Sequence, residues 1–346
     1  MFDTILIGSG PPALLHGLSR SQTGESIAFI DRGSRLGGAW KPTSIFGSEH
    51  VETGVHLLEN RTHLNAALET LLGSDQLAVA DGDFGMVGSF RMPMKYCRIL
   101  LYLLVTSKSL LKGNIEKARY ALSKLAAAVK EFPTPFLYPR QGFRAVLEAL
   151  ERLLTASKAQ FIFGEDVTSV RILPSAVEVT TNRANYTSRR IVMSSRAHAP
   201  IAGCEDIWRA QRFVAIPHLM LQLEDACPAF GGYVEFLGSS FLKRVRNVGN
   251  LQSQEVRVSR SIIAAQLRQA PDGQAIGRTV DAARKQLIDL RLISESSVVA
   301  DFAFKAHQYS EMPSQALKEL GLRYPQQLHI LRTKDLSDET HSIVLR

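Results

Sequence analysis

The turn between the first predicted strand and the first predicted helix constrains the fold more than any other feature of the chain. Residues 2–7 are apolar and predict a buried strand, residues 8–12 predict a sharp turn, and residues 13–22 predict a short helix with leucines on one face. A second apolar run, residues 26–31, ends in Asp31. Because a strand–helix–strand unit joins neighbouring parallel strands, the chain is expected to be an α/β protein built on a parallel sheet.

The same turn has the spacing of a dinucleotide-binding loop. Gly8 permits the tight turn, Gly10 lets the backbone approach a pyrophosphate, and Ala13 allows close packing of helix on strand. The pyrophosphate would lie at the helix N-terminus, where N–H groups and the helix dipole favour anions. Asp31 follows Gly10 by 21 residues and would bind the hydroxyls of an adenosine ribose. The predicted site comprises Gly8, Ser9, Gly10, Pro11, Pro12, Ala13 and Asp31. The alternative is a glycine turn without a ligand.

A double glycine follows Asp31 within residues 35–40, Arg-Leu-Gly-Gly-Ala-Trp. Gly37 and Gly38 would let this loop fold flat over a dinucleotide. Flavoproteins commonly use such an extension and nicotinamide enzymes seldom need it, so FAD is favoured over NAD. The alternative is a surface turn that carries a half-buried Trp40.

Taken together, these motifs resemble the flavin amine oxidase superfamily, the group of protoporphyrinogen oxidases and UDP-galactopyranose mutases. Three further stretches agree with it. Residues 51–56, Val-Glu-Thr-Gly-Val-His, resemble its E-x-G-x-H loop, and residues 138–143 are similar to its Y-P-x-G-G segment. Residues 164–170 resemble its strand beside the adenine. Two departures stand out: Gln141 replaces the first glycine of the second motif, and residues 331–342 lack the late glycines of the family.

The resemblance implies a bound FAD and assigns further residues to it. It implies that Val167 lies beside the adenine and that His56 lies near the isoalloxazine ring. There an imidazole would hydrogen-bond the flavin or a substrate, and would titrate near neutral pH; the alternative is a structural histidine that caps the next helix. The cofactor-binding residues that the resemblance adds are Arg32, Gly37, Gly38, Ala39, Trp40 and Val167.

The net charge of +8 is concentrated in one segment. Residues 91–130 contain nine basic residues and a single acidic residue, Glu116. The rest of the chain therefore has 32 basic and 32 acidic residues. Charge confined to one helical segment is not typical of a nucleic-acid binder and favours an anionic surface or substrate. Residues 96–130 predict two helices that are broken near Gly113 and Asn114. The segment is interpreted either as a membrane-interface segment or as a buried helix of a cap. Arg61, Arg91 and Lys95 are candidate partners for a phosphate or carboxylate of a small-molecule substrate; alternatively they are solvated charges.

Several other classes of protein find no support in the sequence. The three cysteines are widely spaced and predict neither disulfides nor a metal site. No Gly-x-Ser-x-Gly or His-Glu-x-x-His motif indicates a hydrolase or a zinc peptidase. No run of 18 uncharged apolar residues predicts a membrane span, and no basic leader precedes the first strand. A cytoplasmic protein, in peripheral contact with a membrane if residues 96–130 lie in an interface, is expected.

The predicted fold is a Rossmann-like α/β FAD-binding domain of discontinuous segments, residues 1–60, 132–200 and 306–346. A helical cap is predicted over residues 61–131, and a mixed or antiparallel substrate-domain sheet over residues 201–305. Three functions compete. The first is an FAD-dependent oxidoreductase that moves a hydride from a small organic substrate to flavin N5. The others are a non-redox flavin mutase acting on a nucleotide sugar, and a flavin-fold protein that binds without turnover.

Overall fold

The computed structural model of the protein contains eight helices and eighteen strands among the residues it describes. Those residues are 1–53, 62–79, 84–87, 90–130, 137–194, 197–209, 211–224, 232–237, 241–248, 261–270 and 276–331. The helices are α1 (Pro11–Ser21), α2 (Thr62–Leu72), α3 (Met94–Leu111), α4 (Ile115–Lys130), α5 (Phe143–Ala156), α6 (Glu205–Arg209), α7 (Ile276–Asp289) and α8 (Ser314–Arg323). The strands are β1 (Phe2–Ile7), β2 (Ile27–Asp31), β3 (Thr43–Ile45), β4 (Ser48–Val51), β5 (Leu77–Val79), β6 (Phe84–Val87), β7 (Phe90–Pro93), β8 (Leu137–Pro139), β9 (Gln160–Phe163), β10 (Val167–Ile172), β11 (Val177–Thr181), β12 (Asn185–Ser194), β13 (Arg212–Leu223), β14 (Tyr233–Leu237), β15 (Leu242–Asn247), β16 (Ile262–Leu267), β17 (Val299–Glu311) and β18 (Leu328–Leu331).

The first sheet is the parallel sheet that the N-terminal segment predicts. Its parallel strands run in the order β9–β2–β1–β12–β18, and β11 and β10 extend it antiparallel from the first half of β12. Leu6 packs with α1 and α5 on one face, whereas Ile5 and Ile7 pack with α8 on the other. Because both faces are covered, the central strands are continuous apolar runs.

Helix α1 approaches β2 unusually closely at a residue that the sequence analysis did not single out. A Cβ atom on Gly17 would lie 2.3 Å from Cζ of Phe29, so no larger residue fits there. Helix α8 and strand β18 were not predicted either. The short strand β18 pairs with β12, and it completes the parallel sheet from a part of the chain far from β1.

The second sheet is mixed and mostly antiparallel, in the order β17–β13–β16–β15–β14–β6–β7. One face packs on α7 through residues such as Leu219, Val245 and Leu287. The opposite face joins the core that contains α1 and α5, through Met220 and Ala264. Strands β6 and β7 belong to the segment that was expected to form the cap, and they enter this sheet because β14 pairs parallel with β6. The domain boundaries themselves stay predictions.

Helices α3 and α4 form a hairpin beside the second sheet. As the sequence predicts, the helices separate at Gly113, whose φ of +68° suits glycine. Helix α3 meets β6 at Cys97, where a Cβ on Gly85 would lie 2.1 Å from the sulfur. Burial raises the pKa of the Cys97 thiol to about 11. Helix α4 packs on α3 through Ala118 and Ala121, which are buried. No described helix is long and apolar enough to cross a membrane.

Candidate functional site

The site begins at the turn between β1 and α1. Gly8 has a φ of +92°, and its N–H donates to the carbonyl of Ile30 at 2.8 Å, which ties the turn to β2. Gly10 precedes the helix with φ −69° and ψ 163°, an extended conformation that any residue adopts. Pro11 occupies the first helical turn, where its fixed φ suits the helix. The turn therefore joins the end of β1 to the N-terminus of α1 within three residues and is fixed to the end of β2.

The space in front of this turn is open. A Cβ atom on Gly8 or on Gly10 would meet no other atom within 4 Å. The positive φ of Gly8 explains why glycine occupies that position. At Gly10, neither the backbone conformation nor contact with neighbouring atoms requires glycine. A bound pyrophosphate needs open space of this kind, because its oxygens contact the backbone directly and a side chain would fill that space. The turn therefore fits the dinucleotide that the sequence predicts.

The N-terminus of α1 has fewer hydrogen-bond donors than most helices. A helix normally offers four N–H groups in its first turn. Proline has no N–H, so Pro11 and Pro12 leave the N–H groups of Gly10 and Ala13. The helix dipole still favours an anion at this end. Any phosphate held here would be bound by the dipole and two backbone donors.

Asp31, at the end of β2, organises the turn. One carboxylate oxygen, Oδ2, accepts hydrogen bonds from the N–H and the hydroxyl of Ser9, both at 2.6 Å. The other, Oδ1, accepts from the N–H of Gly33 at 2.7 Å. A carboxylate has roughly four acceptor positions. Three are therefore in use, and the binding of both ribose hydroxyls, which stays a prediction, requires one of these bonds to be exchanged.

The double-glycine loop lies against the dinucleotide turn. The N–H of Gly37 donates to the carbonyl of Ser9 at 2.9 Å, and a Cβ on Gly38 would lie 3.1 Å from Cα of Gly10. Residues 38–40 then form a single 3₁₀ turn, and the Trp40 ring packs on the Phe143 ring with centroids 4.4 Å apart. The structure thus brings the two glycine motifs together at the start of α1.

Gly37→Ala tests whether this loop depends on close packing. Gly37 has a φ of +117°, and a Cβ there would lie 2.5 Å from Cδ1 of Leu147. We expect the free energy of unfolding to fall by about 2–5 kcal/mol, from overpacking and a left-handed alanine together. Gly47→Ala is the matched control, because Gly47 has a φ of +69° with nothing within 4 Å. Urea unfolding measures both, and equal losses would contradict the packing argument.

A cleft of about 580 Å³ opens beside the turn, at the carboxyl ends of β1 and β2. Ligands of open parallel sheets bind at this edge. Four predicted cofactor residues line it: Gly8, Asp31, Arg32 and Val167. Glu165, Asp166 and Thr168 also line it, and they belong to the stretch 164–170 that resembles the strand beside the adenine. The sequence analysis missed His198, Pro200 and Phe213 on the same wall. Phe213 is 72% exposed, and an aromatic face at the rim is suited to stacking on a planar base.

A buried ion pair joins the Glu52 loop to the second sheet. Glu52 accepts a hydrogen bond from the N–H of Phe143 at 2.6 Å and pairs with Nη2 of Arg246 at 3.0 Å. Arg246, on β15, is fully buried and lies 5.1 Å from the centre of the Tyr138 ring. Two stretches that resemble the family, residues 51–53 and 138–143, therefore meet at a residue of the second sheet.

The same face of the second sheet carries a row of polar side chains. Strand pairing places Lys305, His218, Gln266, Arg244 and Glu235 side by side across five strands. Residues that lie directly opposite each other on neighbouring strands are on the same face of the sheet. Because side chains alternate along a strand, Arg244 and Arg246 also lie on one face, so the row is on the face that carries Arg246.

Two contacts of this polar row fix its orientation and its order. Nζ of Lys305 donates to Oγ1 of Thr43 at 2.7 Å, so the row faces β3. Nε of Arg244 donates to Oε1 of Gln266 at 2.5 Å. Burial lowers the pKa of Lys305, because it disfavours the charged amine.

The structure describes few of the side chains that were predicted to be catalytic or to bind the substrate. His56 and Arg61 lie outside the described residues. Lys95 lies in the first turn of α3, but its side chain is outside the description. Arg91 is exposed on β7, the edge strand of the second sheet. Among the described residues, no cluster of histidine, cysteine or acidic side chains could hold a metal ion.

The two sheets and the helices packed on them define a Rossmann-like α/β protein with a second, mixed sheet. Among solved structures, reduced UDP-galactopyranose mutase matches with a TM-score of 0.69 at 8% identity, over 99% of this chain and 92% of that one. A proposed protoporphyrinogen oxidase from Exiguobacterium sp. 255-15 matches with a TM-score of 0.63 at 10% identity, over 99% and 97%.

Putrescine oxidase bound to putrescine matches with a TM-score of 0.60 at 14% identity, over 99% of this chain and 96% of that one. No protein-family model and no curated protein sequence matches the chain. Identities this low establish a shared fold, which confirms the resemblance at that level. The activity must be argued from the site.

Proposed function

We propose that the protein binds FAD noncovalently and is an FAD-dependent oxidoreductase that takes a hydride from a small organic substrate. The observation that carries the proposal is the open cradle at Gly10, where glycine serves no internal purpose. The double-glycine loop beside it and the cleft lined by Asp31 and Val167 supply the remaining parts of a dinucleotide site. Putrescine oxidase and UDP-galactopyranose mutase, which share this fold, are FAD-dependent flavoproteins.

Each part of the site has a separate task in this proposal. The N-terminus of α1 holds the pyrophosphate, Asp31 orients the ribose, and the cleft beside Val167 takes the adenine. Bound FAD would supply the hydride acceptor, which no side chain of this protein can provide. The protein itself positions the substrate and excludes water. Domain interfaces are the usual place for such pockets, so we assign the substrate to the inner face of the second sheet.

The polar row supports a small polar substrate with an anionic group. It contains two cationic side chains, Arg244 and Lys305, and one carboxylate, Glu235. Burying polar groups costs free energy of desolvation unless they find hydrogen-bonding partners. A row of such groups on one face therefore favours a polar ligand that pairs with them. Arg61, Arg91 and Lys95 remain additional candidates for the same anionic group.

His56 is the proposed acid–base residue. It follows Glu52 by four positions, and the buried Glu52–Arg246 pair anchors the start of its loop. His56→Ala is expected to leave FAD bound and to slow flavin reduction by about 10²–10⁴-fold, because a positioned proton carrier contributes that much. The pH profile should lose one limb near neutrality. Anaerobic stopped-flow reduction over a pH series measures both effects, with His329→Ala, an exposed histidine on β18, as the control. Equal rates for wild type and His56→Ala at every pH would remove His56 from the mechanism.

One observation favours the mutase as the second candidate. Arg244 and Arg246 lie two residues apart on the same face of β15, an arrangement that suits a diphosphate. However, Arg246 is already paired with Glu52, so a single arginine of the two is left to meet a substrate. The redox proposal therefore stands first.

The visible spectrum of the purified or FAD-reconstituted protein tests the proposal. An oxidoreductase shows a flavin spectrum that dithionite bleaches and that an anionic substrate bleaches anaerobically. A mutase needs reduced flavin and transfers no net electrons per turnover. A protein that only binds shows no turnover with either form. The absence of a flavin spectrum after reconstitution would overturn the proposal.

A further inference from the structure

Helix α3 exposes a stripe of large apolar side chains. Tyr96, Leu103 and Leu110 are spaced seven residues apart and are 60%, 46% and 57% exposed. Seven residues make nearly two helical turns, so these side chains lie on one face. Leu104 and Leu111 border the stripe and are 54% and 89% exposed. The described part of the chain leaves this face of α3 open.

Helix α4 repeats the pattern. Ile115, Leu122 and Val129 are again seven residues apart and are 60%, 47% and 56% exposed. Only small side chains, Ala118 and Ala121, are buried among the described part of this helix. The hairpin thus has two apolar stripes that the described chain does not cover. Apolar patches of this kind on a protein surface mark an interaction site.

Basic side chains surround the tip of the hairpin. The exposed residues Lys108, Lys112 and Lys117 lie within a few positions of Leu110, Leu111 and Ile115. Across residues 91–130 there are nine basic residues and one acid. The partner must therefore offer an apolar region to the stripes and negative charge to the basic side chains. A second copy of this chain would bring two such hairpins together, and their like charges would repel.

We propose that the α3–α4 hairpin, residues 94–130, docks the protein onto an anionic lipid bilayer. The helices lie in the plane of the interface, with the leucines entering the boundary between headgroups and acyl chains. The lysines meet anionic headgroups, where each contributes about fivefold in affinity. This contact does not depend on the proposed cofactor, because the hairpin lies outside the dinucleotide turn and its cleft.

Co-sedimentation with vesicles tests the docking. We expect binding to vesicles of phosphatidylglycerol and phosphatidylcholine, weaker binding to phosphatidylcholine alone, and release at about 1 M salt, where the Debye length falls to about 3 Å. The triple variant Leu110→Ser, Leu111→Ser, Ile115→Ser should bind roughly tenfold more weakly or worse. Leu322→Ser is the matched control, because Leu322 is 82% exposed on α8.

A second pair of variants separates charge from apolar contact. Lys108→Ser, Lys112→Ser, Lys117→Ser should lower affinity for the anionic vesicles by about 10²-fold. Lys318→Ser, an exposed lysine on α8, should leave it unchanged. All these positions are exposed, so circular dichroism should match wild type. No vesicle binding, or binding that both triple variants retain, would overturn the proposal. So would a lipid-free dimer in sedimentation velocity that the leucine variant dissociates.

Discussion

Gly10→Val is expected to give a folded protein that no longer binds FAD. The backbone of Gly10 is extended and no atom lies within 4 Å of a Cβ there, so the fold accommodates valine. The branched side chain would instead fill the place of the pyrophosphate, next to the N-terminus of α1. Absorbance at the flavin band after reconstitution and gel filtration measures the loss.

The matched control is Gly277→Val on α7. Gly277 also has nothing within 4 Å and lacks the positive φ that favours glycine. This variant should retain FAD like wild type, and both variants should match wild type by circular dichroism. FAD bound as tightly by Gly10→Val as by wild type would show that the site is assigned wrongly.

Arg246→Met is expected to lower the free energy of unfolding by about 3–5 kcal/mol. The substitution leaves the carboxylate of Glu52, which is 3% exposed, without its cationic partner. It also removes the guanidinium from the Tyr138 ring. Urea unfolding monitored by fluorescence measures the loss. Because Glu52 holds the N-terminus of α5, unfolding should remain a single transition at lower urea.

Two companion variants sharpen this experiment. Arg171→Met breaks an exposed pair with Glu178 and should cost about 1 kcal/mol or less. The double variant Glu52→Gln, Arg246→Met should recover part of the loss, because no unpaired charge stays buried. If Arg246→Met costs no more than Arg171→Met, the buried pair does not stabilise the contact between the Glu52 loop and the second sheet.

The parts of the fold that follow from local spacing were predictable. The Gly8–Ala13 turn, the strand that ends at Asp31 and the break at Gly113 each depend on residues close together in the chain. Glycine and proline limit the backbone at such positions, so their spacing identifies the element. Gly8, Asp31, Arg32 and Val167 line one cleft, and their contact with a cofactor stays a prediction.

What the sequence could not predict depends on register between distant strands. The polar row exists because β13, β15 and β16 pair in one register, and a shift by one residue would turn its side chains to the other face. The Glu52–Arg246 pair joins residues 194 positions apart. Arg246 lies in a strand with the sequence Leu-Lys-Arg-Val-Arg-Asn, where polar residues outnumber apolar ones, so its burial and its partner become visible only in the fold.

The prolines at the start of α1 affect the rates at which the proposed cofactor would bind and dissociate. Pro11 and Pro12 fix φ at two successive positions, so the turn already has its final shape and binding orders little backbone. The same prolines remove two of the donors that would hold a phosphate. Association then needs no rearrangement of the turn backbone, and dissociation breaks fewer bonds to it. The proposed flavoprotein would exchange with free FAD in the cell, and its occupied fraction would follow the local supply of that nucleotide.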